Sequence, residues 1–258
     1  MRMKISLITI CYNSGKTITD TFDSVLCQTY ESFEYIVVDG KSQDNTVQII
    51  QEYEKRFANR GVPMNWVSEK DKGLYDAMNK GIRMATGDII GILNSDDVLA
   101  TPEAFSKIVA AFERDNCDAV YSDLYVMDPE TMTKPNRIFI AGQKNYKLGW
   151  YPPHPTLYLK REIYEKYGLY ETSYKIAADY DFMVRIMKSG VRMTYIPEVL
   201  VHMRAGGVST LSLKAYKKSF DEAVEVLKKN GVKMPYSVNV LRTFVIFKQR
   251  FQGMIKAR

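Results

Sequence analysis

The chain has 258 residues, 46% hydrophobic and 26% charged, with 15 Gly, 9 Pro and 3 Cys. That composition excludes a disordered chain, a collagen-like repeat and a disulfide miniprotein. The formal net charge is +6, yet eight Lys and Arg follow Glu225 with no acidic residue among them, so a slightly acidic body carries a basic tail. Such a distribution suits a local anionic partner rather than a protein built around nucleic acid.

No apolar run approaches the roughly 20 residues of a membrane span, and Ile5 to Ile10 is too short for a signal-peptide core. Cys11, Cys27 and Cys117 have neither metal nor redox spacing, as expected in a reducing cytoplasm. In chain order, Lys4 to Ile10 reads as a buried strand and Thr17 to Leu26 as a helix. Glu34 to Asp39 is a second strand that ends on a carboxylate, and Asp44 is placed to cap a helix running to about Phe57. A short strand, Met64 to Val67, and a helix, Gly73 to Met84, follow. Asp88 to Leu93 is a strand leading into Asn94-Ser-Asp-Asp97. Thr101 and Pro102 open the next helix, with Phe105, Ile108, Val109 and Phe112 on one face. This alternation predicts an α/β fold, a mostly parallel sheet with helices on both faces.

The second half is less regular. Gly149-Trp-Tyr-Pro-Pro-His154 precedes a strand at Thr156 to Leu159, Ala178 to Lys188 is helical, and Met193 to Val201 is a strand. Leu213, Tyr216, Phe220, Ala223, Val224 and Leu227 mark a long amphipathic helix before Pro235.

Ligands of parallel sheets bind beyond the carboxyl ends of the strands. Those ends carry Thr9 to Asn13, Asp39, Glu69 to Asp71 and Asp96-Asp97. Two adjacent carboxylates can hold a hard divalent cation that grips a diphosphate, or simply form a solvated turn. Asp39 can accept the hydrogens of a base edge, and Gly40 lets the chain turn; the same residues also suit an Asp-Gly turn feeding a capped helix. Asp71 and Gly73 sit at a polar helix entrance, where Asp76 and Lys80 can pair on the surface.

Together these segments resemble the family 2 glycosyltransferases, which have the GT-A fold. The resemblance rests on Thr9-Ile-Cys-Tyr-Asn13, Asp39-Gly-Lys-Ser-Gln-Asp-Asn-Thr46, Glu69-Lys-Asp-Lys-Gly-Leu-Tyr-Asp-Ala-Met-Asn-Lys-Gly81, Ala85-Thr-Gly-Asp88 and Asn94-Ser-Asp-Asp97. It covers about residues 4 to 210 and is strongest to bacterial enzymes of capsule, exopolysaccharide and lipopolysaccharide assembly. It implies that Thr9 and Asp39 hold the uracil of a UDP-sugar with Asp71 beside them, and that Tyr12 and Asn13 belong to the same donor loop. Asp96 would contact ribose or sugar hydroxyls, and Asp97 would bind Mn²⁺ or Mg²⁺ on the diphosphate. Ala178-Asp-Tyr-Asp181 stands where the family has Glu-Asp, so Asp179 inherits the role of general base, although the preceding Glu is Ala178 here.

Three features keep two readings each. Asp179 alternatively caps its helix while Asp181 pairs with Arg185. In His202-Met-Arg-Ala-Gly-Gly-Val-Ser209, Arg204 can neutralise phosphate and His202 complete a metal shell; otherwise this is a Gly-rich turn with a solvated His202. His154, among Trp150, Tyr151 and two prolines, suits the border of a sugar or acceptor site, or a packed core.

The expected organisation is a GT-A domain at 1–210, with a nucleotide-sugar half at 1–100 and an acceptor half at 101–210, then a basic helical extension at 211–258. In that extension Val240, Phe244, Phe247, Phe251 and Met254 form a stripe at helical spacing, outside which lie Arg242, Lys248, Arg250 and Lys256. The stripe suits the inner face of an anionic membrane, where lipid-linked acceptors are found, or packing on the body or on a second subunit as a homodimer.

The function expected is metal-dependent, inverting transfer from a UDP-sugar to a glycan or lipid-linked glycan. Two rivals stand beside it. A sugar-nucleotide pyrophosphorylase would need a Gly-rich basic loop where Thr9 to Lys16 offers only Gly15 and Lys16. A non-catalytic nucleotide- or glycan-binding subunit is favoured by Ala178 and disfavoured by Asp96-Asp97.

Overall fold

A computed structural model of the chain describes residues 2–142, 146–206 and 213–256. The first half reads β1 (Ile5–Cys11), α1 (Ile18–Leu26), β2 (Phe33–Asp39), α2 (Thr46–Asn59), β3 (Met64–Ser68), α3 (Leu74–Met84), β4 (Ile89–Ile92), β5 (Val98–Leu99) and α4 (Ala104–Asp115). The second half adds β6 (Ala119–Met127), β7 (Pro135–Phe139), β8 (Tyr158–Lys160), α5 (Arg161–Tyr167), α6 (Ala178–Lys188), β9 (Met193–Arg204), α7 (Leu213–Lys229) and α8 (Pro235–Lys256). The strands form one sheet ordered β3-β2-β1-β4-β8-β6-β9-β5, with β7 added on β6.

Strands β3, β2, β1 and β4 are mutually parallel, so their carboxyl ends share one edge. Every residue of β1 and β2 is buried, as expected for parallel strands covered on both faces. Ile8, Ile10, Ile36 and Val38 face α3, α5, α6 and α7. Leu7, Tyr35 and Val37 face α1, α2 and α4. Gly81 allows α3 to lie this close, because a Cβ there would come within 2.4 Å of Ile8 Cγ2.

β8 enters antiparallel to β4 and β6, whereas β6 and β9 run parallel. The central strand β6, along with β7 and α5, is not signalled by the sequence. Ser122 and Asp123 interrupt the apolar run of β6, yet both are buried. Thr156, read as part of a strand, belongs instead to a short 3-10 turn at His154–Thr156, where its hydroxyl bonds the Pro153 and Ser122 carbonyls. Helix α4 begins at Ala104, later than Thr101, because buried Gln28 takes its start: Oε1 accepts Phe105 N–H and Nε2 donates to the Thr101 carbonyl.

The extension packs back on the body, α7 against α6 and α8 against α7 and β7. Pro235 opens α8, where its missing N–H costs nothing. The inward face of α8 carries Val238, Asn239, Arg242 and Gln249, all buried. Asn239 donates to the Phe220 carbonyl and Gln249 to the Ile140 carbonyl. The outward face carries Tyr236, Val240, Phe244, Phe247 and Phe251, all exposed. The side chain of Met254 lies outside the described residues. No helix among the described residues is long and apolar enough to cross a membrane.

Candidate active site

The parallel edge is laced together by its loops. Gly40 N–H donates to the Cys11 carbonyl and Glu69 N–H to the Asp39 carbonyl. Asn13, in the left-handed region at φ 49°, joins the β1 and β2 loops: its N–H donates to Ser42 Oγ, and its Oδ1 accepts Gln43 N–H. The Ser14 and Ser95 hydroxyls, 2.8 Å apart, join the β1 loop to the β4 loop.

The exposed Tyr12 ring and the Asp71 carboxylate come together over Gly40. A Cβ on Gly40 would stand 3.0 Å from Asp71 Oδ2 and 3.3 Å from Tyr12 Cδ2. Lys80 holds Asp71 in place at 2.6 Å and reaches Glu69 at 2.8 Å. Burial works against its charge, but bonds to Asp71 and Glu69 more than offset this and raise its pKa.

Two donor-site expectations change in form. Thr9 is fully buried two residues short of the end of β1, and its Oγ1 accepts the Tyr35 hydroxyl at 2.8 Å. Strand periodicity turns its side chain under the sheet with Leu7 and Cys11, away from the loop edge. Asp39 is also fully buried: it accepts from Ser42 N–H, the Ser42 and Ser68 hydroxyls and the Cys11 thiol. Both of its oxygens are engaged, so a base edge can reach the carboxylate only by replacing one of these donors. Its N–H and hydroxyl partners make Asp39 the organiser of the loop.

At the end of β4, Asp97 is buried, with Oδ1 accepting Arg204 N–H at 3.1 Å and Oδ2 accepting Asn94 Nδ2 at 3.0 Å. Burial, then the negative field of Asp96, pushes its carboxyl pKa up; burial likewise raises that of Asp96. The Arg204 guanidinium is taken up by Asp20 at 2.7 Å, the Pro129 carbonyl at 2.6 Å and the Asp96 carbonyl at 3.4 Å. It braces the aspartate turn against α1. His202 lies on β9 opposite Tyr125 and Val98, its ring 5.8 Å from that of Tyr125, and burial lowers its pKa.

Among the described residues no three His, Cys, Asp or Glu side chains gather as a metal shell. Gly207, Val208 and Ser209 lie outside the described residues. The donor set still fits a hard cation. Two adjacent carboxylates, one buried against its own charge, are oxygen donors of the kind that Mg²⁺ and Mn²⁺ take, and substrate phosphates and water would complete the shell.

On the other side stands Asp179, in the first turn of α6. Its Oδ1 accepts Tyr180 N–H at 2.8 Å and lies 3.1 Å from the Tyr75 hydroxyl, whose one hydrogen is shared with the Ile176 carbonyl at 2.6 Å. Among the described residues Oδ2 has no hydrogen-bond partner. Burial, then Asp179, raises the Tyr75 pKa, so this hydroxyl stays a donor. His154 Nε2 and the Tyr170 hydroxyl are 3.0 Å apart; burial lowers the imidazole pKa and the field of Asp179 partly restores it. Asn79 clamps this wall by exchanging two hydrogen bonds with the Tyr170 backbone.

Glu222, on α7, was not singled out in the sequence. Its carboxylate accepts the backbone N–H groups of Lys175, Ile176 and Ala177 at 3.2, 2.8 and 3.0 Å. A carboxylate from 44 positions beyond Ala178 in the chain thus reaches the turn that leads into α6 and Asp179. The Ala85-Thr-Gly-Asp88 motif is equally informative, because it lies at the opposite edge of the sheet. Thr86 N–H and hydroxyl bond Glu34, and Gly87 N–H bonds Ser6 Oγ. It is a clip at the amino end of β1, β2 and β4.

The family model described as "Glycosyl transferase family 2" matches residues 6–180. The chain belongs to glycosyltransferase family 2. This family 2 glycosyltransferase is 27% identical over 256 residues to a PGL/p-HBAD biosynthesis glycosyltransferase of Mycobacterium bovis, covering 95% of this chain and 97% of that one. It is 31% identical over 192 residues to an uncharacterised glycosyltransferase of Mycobacterium tuberculosis, covering 70% and 68%.

Two solved structures share its GT-A fold. S. aureus TarS 1–349 in complex with UDP-GlcNAc has a TM-score of 0.70 at 19% identity, over 94% of this chain and 73% of that one. Mannosyltransferase PcManGT from Pyrobaculum calidifontis, in complex with GDP-Man and Mn²⁺, has a TM-score of 0.68 at 19% identity, over 100% and 74%.

Proposed function

We propose that this enzyme transfers a sugar from a UDP-sugar to a hydroxyl of a glycan or lipid-linked glycan, with inversion at the anomeric carbon, in cell-surface polysaccharide synthesis. One observation carries the reading: the Tyr75 hydroxyl, on the helix of the donor motif, donates to the Ile176 carbonyl at 2.6 Å and lies 3.1 Å from the Asp179 carboxylate. The two reaction partners are thereby brought to one edge of the sheet. UDP-GlcNAc in the TarS structure and the PGL/p-HBAD relative support it.

Residues 1–100 form the donor half, 101–210 the acceptor half and 211–258 the extension. Tyr12, Gly40 and Asp71 receive the uracil, on a loop shaped by Asn13 and Asp39, with Thr9 buried on the strand that leads into it. Asp96 contacts the sugar or ribose hydroxyls, Arg204 holds the turn that meets the diphosphate, and His154 borders the acceptor. Mn²⁺ or Mg²⁺, held by Asp97 with His202 as the second candidate ligand, would supply positive charge against that developing on the diphosphate. Asp179 Oδ2 takes the acceptor proton while the acceptor oxygen bonds the anomeric carbon. The bond from that carbon to the diphosphate breaks, and UDP leaves with the electron pair. Attack opposite the leaving group turns an α-linked donor into a β-linked product.

The protein acts in the cytoplasm, at the inner face of the cell membrane where lipid-linked acceptors are held. A non-catalytic binding subunit is the second reading, on the strength of Ala178; the carboxylate that Glu222 sets before α6 argues against it. Calorimetric titration of UDP and GDP, each with Mn²⁺ and with EDTA, tests the donor assignment. Tight UDP binding only with metal is expected. Equal affinity in EDTA, or a preference for GDP, would overturn it.

A further inference from the structure

Helix α8 is turned opposite to an ordinary surface helix. Its buried face holds Asn239, Arg242 and Gln249, whose polar groups bond Phe220, each other and Ile140. Its solvent face holds Tyr236, Val240, Phe244, Phe247 and Phe251, the last three exposed by 67, 73 and 60%. These five recur at three- and four-residue spacing, so they make one continuous stripe along the helix. A soluble surface does not ordinarily leave an aromatic stripe of this length uncovered.

The stripe is bordered by cations. Lys248 is exposed between Phe247 and Phe251 in the sequence. The Lys228 ammonium stands 4.8 Å from the centre of the Tyr236 ring and bonds its hydroxyl. Lys233 is exposed at the turn before the helix, and no acidic residue follows Glu225 anywhere in the chain. Aromatic rings beside lysines and no carboxylates is the chemistry of an anionic lipid interface. A second copy on this face would instead set the same lysines against one another, with no carboxylate from α8 to receive them.

We propose that the outer face of α8 docks the enzyme on an anionic bilayer. The inner face of the same helix bears on the acceptor side: the Arg242 guanidinium lies 4.8 Å from the centre of the Tyr180 ring and 5.8 Å from that of Tyr151. Tyr180 is the neighbour of Asp179. A helix is about 10 Å across, so a bilayer under α8 is one helix thickness from the wall beside the base. This proximity fits an acceptor whose lipid stays in the membrane while its glycan reaches Asp179. The docking rests on the glycosyltransferase reading only for its purpose, so binding and activity are measured separately.

The test uses the full chain in co-sedimentation with phosphatidylcholine vesicles, with and without phosphatidylglycerol. Sedimentation velocity without lipid gives the oligomeric state of each form. The variants are the triple Phe244→Ser, Phe247→Ser, Phe251→Ser and the double Lys228→Glu, Lys248→Glu. Because these side chains face solvent, both variants should fold, and circular dichroism together with UDP affinity checks that they do.

The wild type should sediment with phosphatidylglycerol vesicles at low salt, and less in physiological salt, where the screening length is about 8 Å. The triple variant should lose binding to every vesicle. The double variant should lose about tenfold or more on anionic vesicles alone. Both should bind UDP and turn over a soluble acceptor as the wild type does. Wild-type protein that ignores anionic vesicles at low salt overturns the proposal. So does a wild-type dimer that the triple substitution splits while vesicle binding is absent, which assigns the stripe to a second copy. Loss of UDP binding by the wild type would strike the enzymatic reading and leave vesicle docking standing.

Discussion

The loop edge of β1 to β4, proposed as the donor edge, and the wall around Asp179, proposed as the acceptor wall, hold their polar groups by different means. At the donor edge the partners come from neighbouring loops of parallel strands. Asn13 bonds Ser42 and Gln43, Asp39 bonds Ser42 and Ser68, and Lys80 bonds Asp71 and Glu69. At the acceptor wall, Asp179 is steadied by Tyr75 from α3 and by Glu222 from α7, elements far away on either side of it in the chain. A motif can encode a loop that bonds to the next motif along a parallel edge. It cannot encode a loop whose supports arrive from a different layer.

The largest effect expected from breaking this comparison is at the base. Asp179→Asn is nearly isosteric and leaves the donor edge untouched. It should lower turnover roughly 10²–10⁴-fold while UDP affinity, read by calorimetry, stays at the wild-type value. Turnover within a fewfold of wild type would move the base elsewhere.

Next in size is Glu222, a positioning residue that reaches Asp179 only through the 175–177 turn. Glu222→Ala should reduce kcat about tenfold, equivalent to about 1.4 kcal/mol of lost transition-state stabilisation, with the KM for the donor unchanged. Glu222→Gln, which keeps one acceptor oxygen, should recover part of that loss. A donor KM that rises with kcat intact would show that α7 supports the nucleotide instead.

These two variants also separate what was legible in the sequence from what was not. Every strand and helix of the first half except the two-residue β5 was readable, because β1 and β2 are continuous apolar runs and the loops between them carry turn residues. Asp179 was readable at the start of α6, and the role of base proposed for it comes from the resemblance. Glu222 was not, since an acidic residue between Asp221 and Glu225 on a lysine-rich amphipathic helix looks like solvated surface. β6 was hidden by Ser122 and Asp123, which are buried with hydrogen bonds to the Thr156 hydroxyl, Tyr195 and Ala141. The sequence placed Thr9 and Asp39 near the ends of their strands but did not show their burial, which depends on Tyr35, Ser42 and Ser68. The Ala85-Thr-Gly-Asp88 motif carried part of the resemblance without a role, and it holds the opposite edge of the sheet.

A smaller effect is expected at Gly40. Its added methyl would press on Asp71 and Tyr12, so Gly40→Ala should weaken UDP about five- to tenfold, about 1–1.4 kcal/mol by the usual conversion, and leave kcat at saturating donor nearly unchanged. Equal UDP affinity in the variant would take the uracil away from Tyr12 and Asp71.

The smallest effect on activity belongs to Glu34, at the far edge. Burial works against its charge, but bonds from Lys4, Ser6 and Thr86 hold its pKa down at about 2, from an ordinary 4.5. Its contribution is therefore fully present above about pH 4.5 and is lost as pH falls toward 2. Glu34→Gln should cost about 2 kcal/mol of stability in urea unfolding at neutral pH, flatten the acid limb of the stability curve, and leave kcat and KM at wild-type values.

The anomeric configuration of the product tests the central claim most directly. With an α-linked UDP-sugar and a soluble acceptor, the anomeric proton coupling in the NMR spectrum of the product reads the outcome without any mutation. A single base, Asp179, acting on the acceptor hydroxyl predicts a β-linked product. An α-linked product would contradict the direct displacement and the role given to Asp179.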